Sequence, residues 1–217
     1  MVKREMEEIV FNELQPQKVI IIYGARRVGK TVLIEQLMHR YQGKALLLNG
    51  EDITTVEMLS RSSVSNYQQL FSGIDLLIID EAQNIENIGK KLKLIVDNIK
   101  NLSVLVSGSS SFDLQNQAGE PLVGRSYSFI LYPFSHNEIL NIESQAEIVR
   151  HLEKYLIYGT YPELFKIEDF DKKQDYLIEM ISLYLLKDIL MIDGIKNASK
   201  MQKLLKLIAL QIGSEIS

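Results

Sequence analysis

The sequence feature that most constrains the fold is a glycine-framed segment, Gly24-Ala25-Arg26-Arg27-Val28-Gly29-Lys30-Thr31. It follows Val19–Tyr23, an apolar run without alternation that is typical of a strand buried on both faces. The apolar positions after Lys30 recur at helical spacing. A G-x-x-x-x-G-K-[ST] segment between a strand and a helix predicts a loop whose backbone N–H groups surround phosphate oxygens.

The helix that begins after this loop directs the positive end of its dipole toward a bound anion. The Lys30 ammonium is expected to reach the β- and γ-phosphates of a nucleotide, and the Thr31 hydroxyl is expected to bind Mg²⁺. The residues predicted to contact the nucleotide are Gly24, Ala25, Arg26, Arg27, Val28, Gly29, Lys30, Thr31 and Val32. A chance glycine-rich turn is the alternative, and the strand–loop–helix context disfavours it.

A second apolar run, Leu76–Ile79, ends in the acids Asp80 and Glu81. A carboxylate at the end of a buried strand helps to hold Mg²⁺ in phosphate-loop enzymes, so Asp80 is predicted to bind the metal together with Thr31. Glu81 stands where a general base could polarise a water molecule against the γ-phosphate. A pair of surface acids is the alternative, and the phosphate loop elsewhere in the chain makes it the weaker one.

Two weaker signals complete the predicted catalytic set of Lys30, Glu81, Ser109 and Arg125. After the fourth predicted strand, Ser109 or Ser110 could contact the γ-phosphate or the attacking water, although a plain polar loop is an equally good interpretation. Arg125 could stabilise charge in the transition state. A lone arginine is more commonly a solvated surface residue.

Composition excludes several other classes of protein. The chain of 217 residues has no cysteine, which removes disulfides, thiolate metal sites and cysteine nucleophiles. Lys and Arg number 24 and Asp and Glu number 28, a net charge of −4 that gives no global support for a nucleic-acid scaffold. No apolar run approaches the roughly 18 residues that a membrane span needs. The acidic N-terminus is unlike a signal peptide, so we expect a cytoplasmic protein without a membrane segment.

Strands alternate with helices over the first part of the chain, which predicts an α/β fold with a parallel sheet covered on both faces. The predicted strands are Val19–Tyr23, Ala45–Leu48, Leu76–Ile79, Ser103–Val106 and Tyr127–Leu131. Capping-box patterns predict helix starts at Thr54, Ser65 and Ser135. The pattern becomes helical after Pro133, so a domain boundary is expected near Tyr132.

The last predicted helix, Met201–Ile212, has an apolar face that needs a partner. Gly213 ends this helix, and the residues after it resemble the entry to another one, so the parent protein is expected to continue. Four lysines accompany the helix: Lys196, Lys200, Lys203 and Lys206. They could contact nucleic-acid phosphates, although a solvated face is the more common meaning of such a cluster.

Together these motifs resemble the prokaryotic AAA-type P-loop ATPases, which carry an N-terminal ATPase domain, a helical segment and a C-terminal winged-helix-containing domain of unknown function. The matching segments are the P-loop, Asp80-Glu81-Ala82-Gln83, Gly108-Ser109-Ser110, Leu122-Val123-Gly124-Arg125, Pro133-Phe134 with Glu138, Tyr158 to Glu163, and Tyr184 to Ile189. Thr160 stands where a second glycine is common in the family.

The resemblance implies an ASCE-type sheet of strand order 5-1-4-3-2, an α-helical lid, and ATP with Mg²⁺ as ligands. It implies a P-loop ATPase core at 1–132, a helical lid at 133–195 and the incomplete beginning of a winged helix at 196–217. It strengthens Arg125 as a finger-like residue that acts either in its own subunit or on a neighbour in a homo-oligomer. It supplies neither a client nor a pathway.

Two functional hypotheses follow. In the first, the chain binds and hydrolyses ATP with Mg²⁺, and turnover drives movement of the helical and winged-helix region. In the second, the chain is a nucleotide-dependent switch or a DNA-linked regulator, in which binding rather than turnover is the output. DNA would then be contacted through the winged helix, of which this chain holds only the beginning.

Overall fold

The computed structural model describes residues 2–108, 122–182 and 198–212. In these ranges the strands are β1 (Val19–Tyr23), β2 (Ala45–Asn49), β3 (Leu76–Asp80), β4 (Ser103–Gly108) and β5 (Ser126–Ile130). The helices are α1 (Glu5–Glu13), α2 (Lys30–Arg40), α3 (Ile53–Ser60), α4 (Val64–Leu70), α5 (Ile88–Asn98), α6 (His136–Ile139), α7 (Gln145–Arg150), α8 (Leu152–Tyr158), α9 (Phe170–Met180) and α10 (Ala198–Leu210). Short 3-10 helices lie at Ala82–Asn84 and Pro162–Phe165.

The five described strands form one sheet in the order β2-β3-β4-β1-β5, and every neighbouring pair is parallel. This confirms the predicted order 5-1-4-3-2, read from the opposite edge. The three inner strands β1, β3 and β4 are buried along their whole length, whereas the edge strands β2 and β5 have exposed positions. The continuous apolar runs of β1 and β3 therefore lie in strands that are covered on both faces. The apolar run of β2 lies at the edge of the sheet, where Leu47 is 40% exposed.

Alternate side chains of the inner strands enter two separate apolar cores. The face that carries Ile21 packs against residues of α3, α4 and α5, and the face that carries Ile20 and Ile22 packs against α1 and α2. Each fully buried large apolar side chain contributes about 1.5–3 kcal/mol relative to an exposed one. This packing holds the strand ends, and hence the loops that follow them, in a fixed register.

For two of the predicted helix starts, the capping residue is wrong by two positions. Helix α3 follows Asp52, whose side chain accepts a hydrogen bond from the backbone N–H of Thr54. Helix α4 follows Ser63, whose hydroxyl accepts from a backbone N–H in the first turn. In both cases a good capping residue stands just before Thr54 or Ser65 and supplies the acceptor first.

The third predicted start is confirmed. The Ser135 hydroxyl accepts from the backbone N–H of Glu138, and the Glu138 carboxylate accepts from the backbone N–H of Ser135, which completes a capping box. Glu138 is also buried, with only 3% of its surface exposed. A carboxylate in a cap is ordinarily solvated, so its burial indicates a further partner.

The chain divides into two compact units, Met1–Glu163 and Leu164–Ser217. The first contains the sheet and the helices through α8, and the second contains α9 and α10. The division falls well after Tyr132 because the segment that follows β5 is bonded to the N-terminal residues Arg4 and Glu5. The predicted lid and winged-helix boundaries stay predictions. Within the described ranges, no helix combines the length and apolar character needed to cross a membrane.

Candidate functional site

Parallel pairing gathers the predicted site at the carboxyl ends of the strands. The glycine-framed loop leaves the end of β1, Asp80 and Glu81 stand at the end of β3, and Ser107 lies near the end of β4. Strand β4 lies between the other two, in register with both. The loop and the acids are therefore neighbours although they are far apart in sequence.

The loop has the backbone shape of an anion-binding turn. Arg27 and Gly29 have positive φ angles of 63° and 98°, and Gly29 is the N-cap of α2. Left-handed residues between right-handed ones turn successive N–H groups toward one point, which makes a concave site for an anion. At Gly29 the left-handed backbone costs little because glycine has no Cβ. Burial raises the pKa of Tyr23, the last residue of β1, so its phenol adds no charge beside the loop.

Lys30 is buried at the first turn of α2, with 5% of its surface exposed. Its Nζ donates to the carbonyl oxygen of Gly24 at 2.8 Å and to that of Ala25 at 3.0 Å. The ammonium therefore lies against the backbone of the loop itself. A lysine in this position places one positive charge where phosphate groups would enter the loop.

The remaining loop residues differ in exposure. Val28 is fully buried in the core, so only its backbone can face a ligand, whereas Val32 is 37% exposed at the start of α2. Ala25 and Arg27 are exposed and Arg26 is half-buried. The nine predicted nucleotide contacts therefore occupy the loop after β1 and the first turn of α2.

Asp80 is the most fully bonded group of the site. Its Oδ2 accepts from the Thr31 hydroxyl at 2.8 Å, and its Oδ1 accepts from the Ser107 hydroxyl and from the backbone N–H of Glu81. These contacts fix the carboxylate beside the loop. Two hard oxygen donors, a hydroxyl and a carboxylate, stand side by side there, and this donor set fits Mg²⁺.

Sequence reasoning did not single out Ser107. It lies in the fully buried strand β4, between Val106 and Gly108, where a serine carries no motif of its own. The register of β3 with β4, which is invisible in the sequence, brings it to Asp80. The predicted residue Ser109 lies outside the described residues.

Glu81 adopts a left-handed backbone conformation, with φ 51° and ψ 42°. This conformation is uncommon in residues other than glycine, and strained backbones of this kind cluster at functional sites. The end of β2 supports it, because the Gly50 N–H donates to the Asp80 carbonyl oxygen at 2.8 Å. A Cβ on Gly50 would lie 2.3 Å from the Glu81 carbonyl oxygen, so the close approach requires glycine.

Gln83 holds the side chain of Glu81. Its Nε2 donates to Glu81 Oε2, and its own Oε1 is buried without a hydrogen-bond partner in the described part of the chain. The carboxylate oxygen fixes which end of the amide faces it, because only the NH₂ group can donate. One carboxylate oxygen of Glu81, Oε2, is thereby engaged in a hydrogen bond.

Arg125 lies at the opposite end of the strands, the amino-terminal end. Its carbonyl oxygen accepts from the Val19 N–H at 2.9 Å, so it stands beside the first residue of β1, whereas the P-loop follows the last. Five strand residues at about 3.3 Å each separate the two positions by roughly 16 Å. Its Nε donates to Asp97 Oδ1 at 2.6 Å. Whether Arg125 acts within its own subunit or on a neighbour stays a prediction.

Arg4, a buried arginine that the sequence analysis did not single out, contacts the backbone of the loop. Arg4 donates to the Val28 carbonyl oxygen at 2.7 Å and to Glu138 Oε1 at 2.8 Å. Only 4% of Arg4 is exposed. Its partners stand 24 and 134 residues away, so no local pattern points to the contact.

Solved structures of similar fold include the Walker-type ATPase PABY2304 of Pyrococcus abyssi, with a TM-score of 0.55 and 15% identity over 98% of this chain and 78% of that one. Another is a signal transduction ATPase with numerous domains from Pyrococcus horikoshii, PH0952, which has a tetratricopeptide repeat sensor. Its TM-score is 0.52, with 16% identity over 88% of this chain and 34% of that one. At these identities the likeness shows the fold alone.

Two curated relatives come from Methanocaldococcus jannaschii. The uncharacterized protein MJ1544 is 25% identical over 94% of this chain, and the uncharacterized protein MJ1637 is 24% identical over 76%. The chain spans about half the length of the first relative and about a third of the second, at 49% and 36%. Residues 149–217 match a domain of unknown function, DUF8612. Residues 16–140, which include the loop and the acids at the end of β3, match the AAA domain model. This chain therefore belongs to the AAA domain family.

Proposed function

We propose that this chain binds ATP with Mg²⁺ at the loop Gly24–Thr31 and hydrolyses it, with Glu81 as the general base. The observation that carries the proposal is the hydrogen bond of 2.8 Å between Thr31 and Asp80, which are 49 residues apart. It joins the phosphate loop to the acidic strand end. A chance glycine turn and an unrelated surface acid pair have no reason to meet in this way.

The loop and Lys30 bind the phosphates, because backbone N–H groups and one buried ammonium offset their negative charge. Thr31 and Asp80 are the residues that would hold Mg²⁺. When bound there, the metal neutralises charge on the β- and γ-phosphates.

In this proposal Glu81 accepts the proton of an attacking water molecule. The water oxygen bonds to the γ-phosphorus, the bond to the bridging oxygen breaks, and ADP leaves with that oxygen. Gln83 binds one carboxylate oxygen of Glu81, and the other is available to the water.

The binding step is tested with Thr31→Val, which removes the hydroxyl and nearly preserves the shape. We expect ATP affinity measured by calorimetry to lose most of its dependence on Mg²⁺. Thr54→Val, at an exposed position of helix α3, is the matched control and should behave like the unchanged chain. Equal Mg²⁺ dependence in the Thr31 and Thr54 variants would contradict the assignment of the metal site.

A second candidate function is favoured by one observation, the hydrogen bond from Gln83 to Glu81. A base that is already engaged supports slow turnover, so ATP binding rather than hydrolysis would be the output of a nucleotide-dependent switch. A DNA-linked form of this switch would use the lysines of α10. In that case ATP should bind tightly without turnover, and DNA affinity should fall steeply with salt.

We further propose that a second copy of the chain supplies Arg125. The proposal is supported by its position about one strand length from its own loop and by its partly exposed side chain. A neighbouring subunit could then bring this guanidinium to a γ-phosphate. A turnover rate per chain that rises with protein concentration would support this arrangement, and a constant rate would contradict it.

A further inference from the structure

The N-terminal segment, residues 2–5, crosses between the phosphate loop and the residues that follow β5. Arg4 lies at its centre and uses all three kinds of guanidinium nitrogen. Its Nη1 donates to the Val28 carbonyl oxygen, its Nη2 to the Tyr132 carbonyl oxygen and its Nε to Glu138 Oε1. The guanidinium also lies 5.0 Å from the centroid of the Phe134 ring.

The contact with Val28 bears directly on the shape of the loop. A loop that turns its N–H groups toward an anion must turn carbonyl oxygens away, and a carbonyl that is buried needs a donor. Arg4 donates at 2.7 Å to the carbonyl oxygen of Val28, the residue that precedes Gly29. A Cβ placed on Gly29 would lie 3.4 Å from Arg4 Nη1, so the guanidinium follows the loop closely.

The other end of this network is the first turn of α6. Glu138 Oε1 accepts from Arg4 Nε and from the backbone N–H of Glu5. The Glu5 carboxylate accepts in turn from Ser135 and Asn137. One buried side chain, Arg4, therefore forms hydrogen bonds both to the loop and to the segment 132–139.

We propose that Arg4 is a positioning residue that couples the phosphate loop to the segment 132–139. Nucleotide in the loop and the packing of this segment stabilise each other through its guanidinium. The inference rests on the proposed function in one respect, since the ligand it couples is the nucleotide. Because coupling between two sites is reciprocal, it is measurable from either end.

Arginine geometry makes the claim specific. The planar fork donates in three fixed directions, whereas a lysine keeps the charge but cannot reach the three acceptors at once. Arg4→Lys therefore separates charge from geometry. If only a positive charge near the loop mattered, this variant would bind nucleotide normally.

The chain offers a matched control for docking of the N-terminal region. Arg40 on α2 donates to both carboxylate oxygens of Glu8 on α1 and lies 3.9 Å from the centroid of the Phe11 ring. Arg40→Lys loosens the attachment of α1 by the same chemical change without touching the loop. Arg40→Lys therefore reports what loosening an α1 contact does to nucleotide binding when the contact does not reach the loop.

The experiment compares the unchanged chain, Arg4→Lys and Arg40→Lys by calorimetry with ATP and Mg²⁺ and by hydrogen exchange. We expect Arg4→Lys to raise the ATP Kd about tenfold or more, since a hydrogen bond to a charged group is worth about that factor. Nucleotide should slow exchange at residues 132–139 in the unchanged chain and in Arg40→Lys. That protection should be lost in Arg4→Lys.

Equal Kd values and equal protection in the two variants would overturn the proposal. If Arg4→Lys does not fold, hydrogen exchange of the unchanged chain tests the proposal. Nucleotide must then slow exchange at residues 132–139 more than it slows exchange in α4. Equal slowing in the two segments would overturn the coupling. If the unchanged chain binds no nucleotide, the proposed function fails. Faster exchange of the loop amides 27–30 in Arg4→Lys than in Arg40→Lys, both without nucleotide, would still support the link to Arg4, and equal exchange would overturn it.

Discussion

At the scale of single residues, two adjacent carboxylates have different surroundings, and each suits the task proposed for it. Asp80 is 7% exposed and accepts from Thr31, Ser107 and the Glu81 N–H, so it is held rigidly beside the loop. Glu81 is half-buried and its side chain is bonded to Gln83. A fixed carboxylate suits a metal ligand, and a carboxylate with one open oxygen suits a base.

The Gln83 contact gives the first prediction at this scale. Gln83→Met keeps the length of the side chain but removes the donor to Glu81. If Gln83 orients the base, kcat for ATP hydrolysis should fall about tenfold to a hundredfold, with KM nearly unchanged, because one charge-assisted hydrogen bond is lost. Steady-state kinetics measures both constants.

Gln69→Met, on the exposed face of α4, is the matched control and should leave kcat unchanged. A rise in kcat of Gln83→Met would contradict the orienting role and would favour the switch, in which Gln83 restrains Glu81. A parallel fall in kcat of both variants would mean that the methionine itself, not the lost donor, is responsible.

At the scale of elements, the end of β2 shapes the end of β3. Gly50 follows β2 and has no room for a side chain, because Glu81 O would lie 2.3 Å from its Cβ. Gly50→Ala should lower the free energy of unfolding by about 1–3 kcal/mol, as overpacking does. It should also reduce ATP turnover of the folded fraction, since the backbone of Glu81 must shift.

Gly73→Ala is the control for the Gly50 variant. Gly73 has a φ of 73° and open space around it, so its alanine variant should cost only the left-handed backbone strain, about 1–2 kcal/mol. Denaturant unfolding and turnover should then show two destabilised variants, of which only Gly50→Ala loses activity. Unimpaired turnover in Gly50→Ala would contradict a role of the β2 end in placing Glu81.

Elements were predictable where a single local signal decides. Val19–Tyr23 is apolar throughout, and its strand has the predicted bounds. The starts of α3 and α4 were misplaced because Asp52 and Ser63 compete with Thr54 and Ser65 for the cap, and several capping residues in a row leave the choice to packing. The contact of Ser107 with Asp80 could not be predicted from the sequence, because it depends on the register of β3 with β4.

At the scale of the whole molecule, topology decides what the motifs can do. The loop motif and the acid pair were assigned from sequence, and the parallel order of β1, β4 and β3 brings them together. In the same topology Arg125 lies at the amino-terminal end of the strands, away from the loop. No motif spacing reveals this separation. Arg4 was missed because its partner Glu138 is 134 residues away.

The measurement that tests the central claim most directly is steady-state ATP hydrolysis with Mg²⁺ by the unchanged chain, Glu81→Gln and Glu86→Gln. Glu86 is an exposed acid in the same connection after β3, which makes it a matched control. The account predicts that Glu81→Gln binds ATP but turns over about 10²–10⁴-fold more slowly, the usual loss for a general base. Glu86→Gln should keep normal turnover. Equal turnover by Glu81→Gln and the unchanged chain would contradict the account.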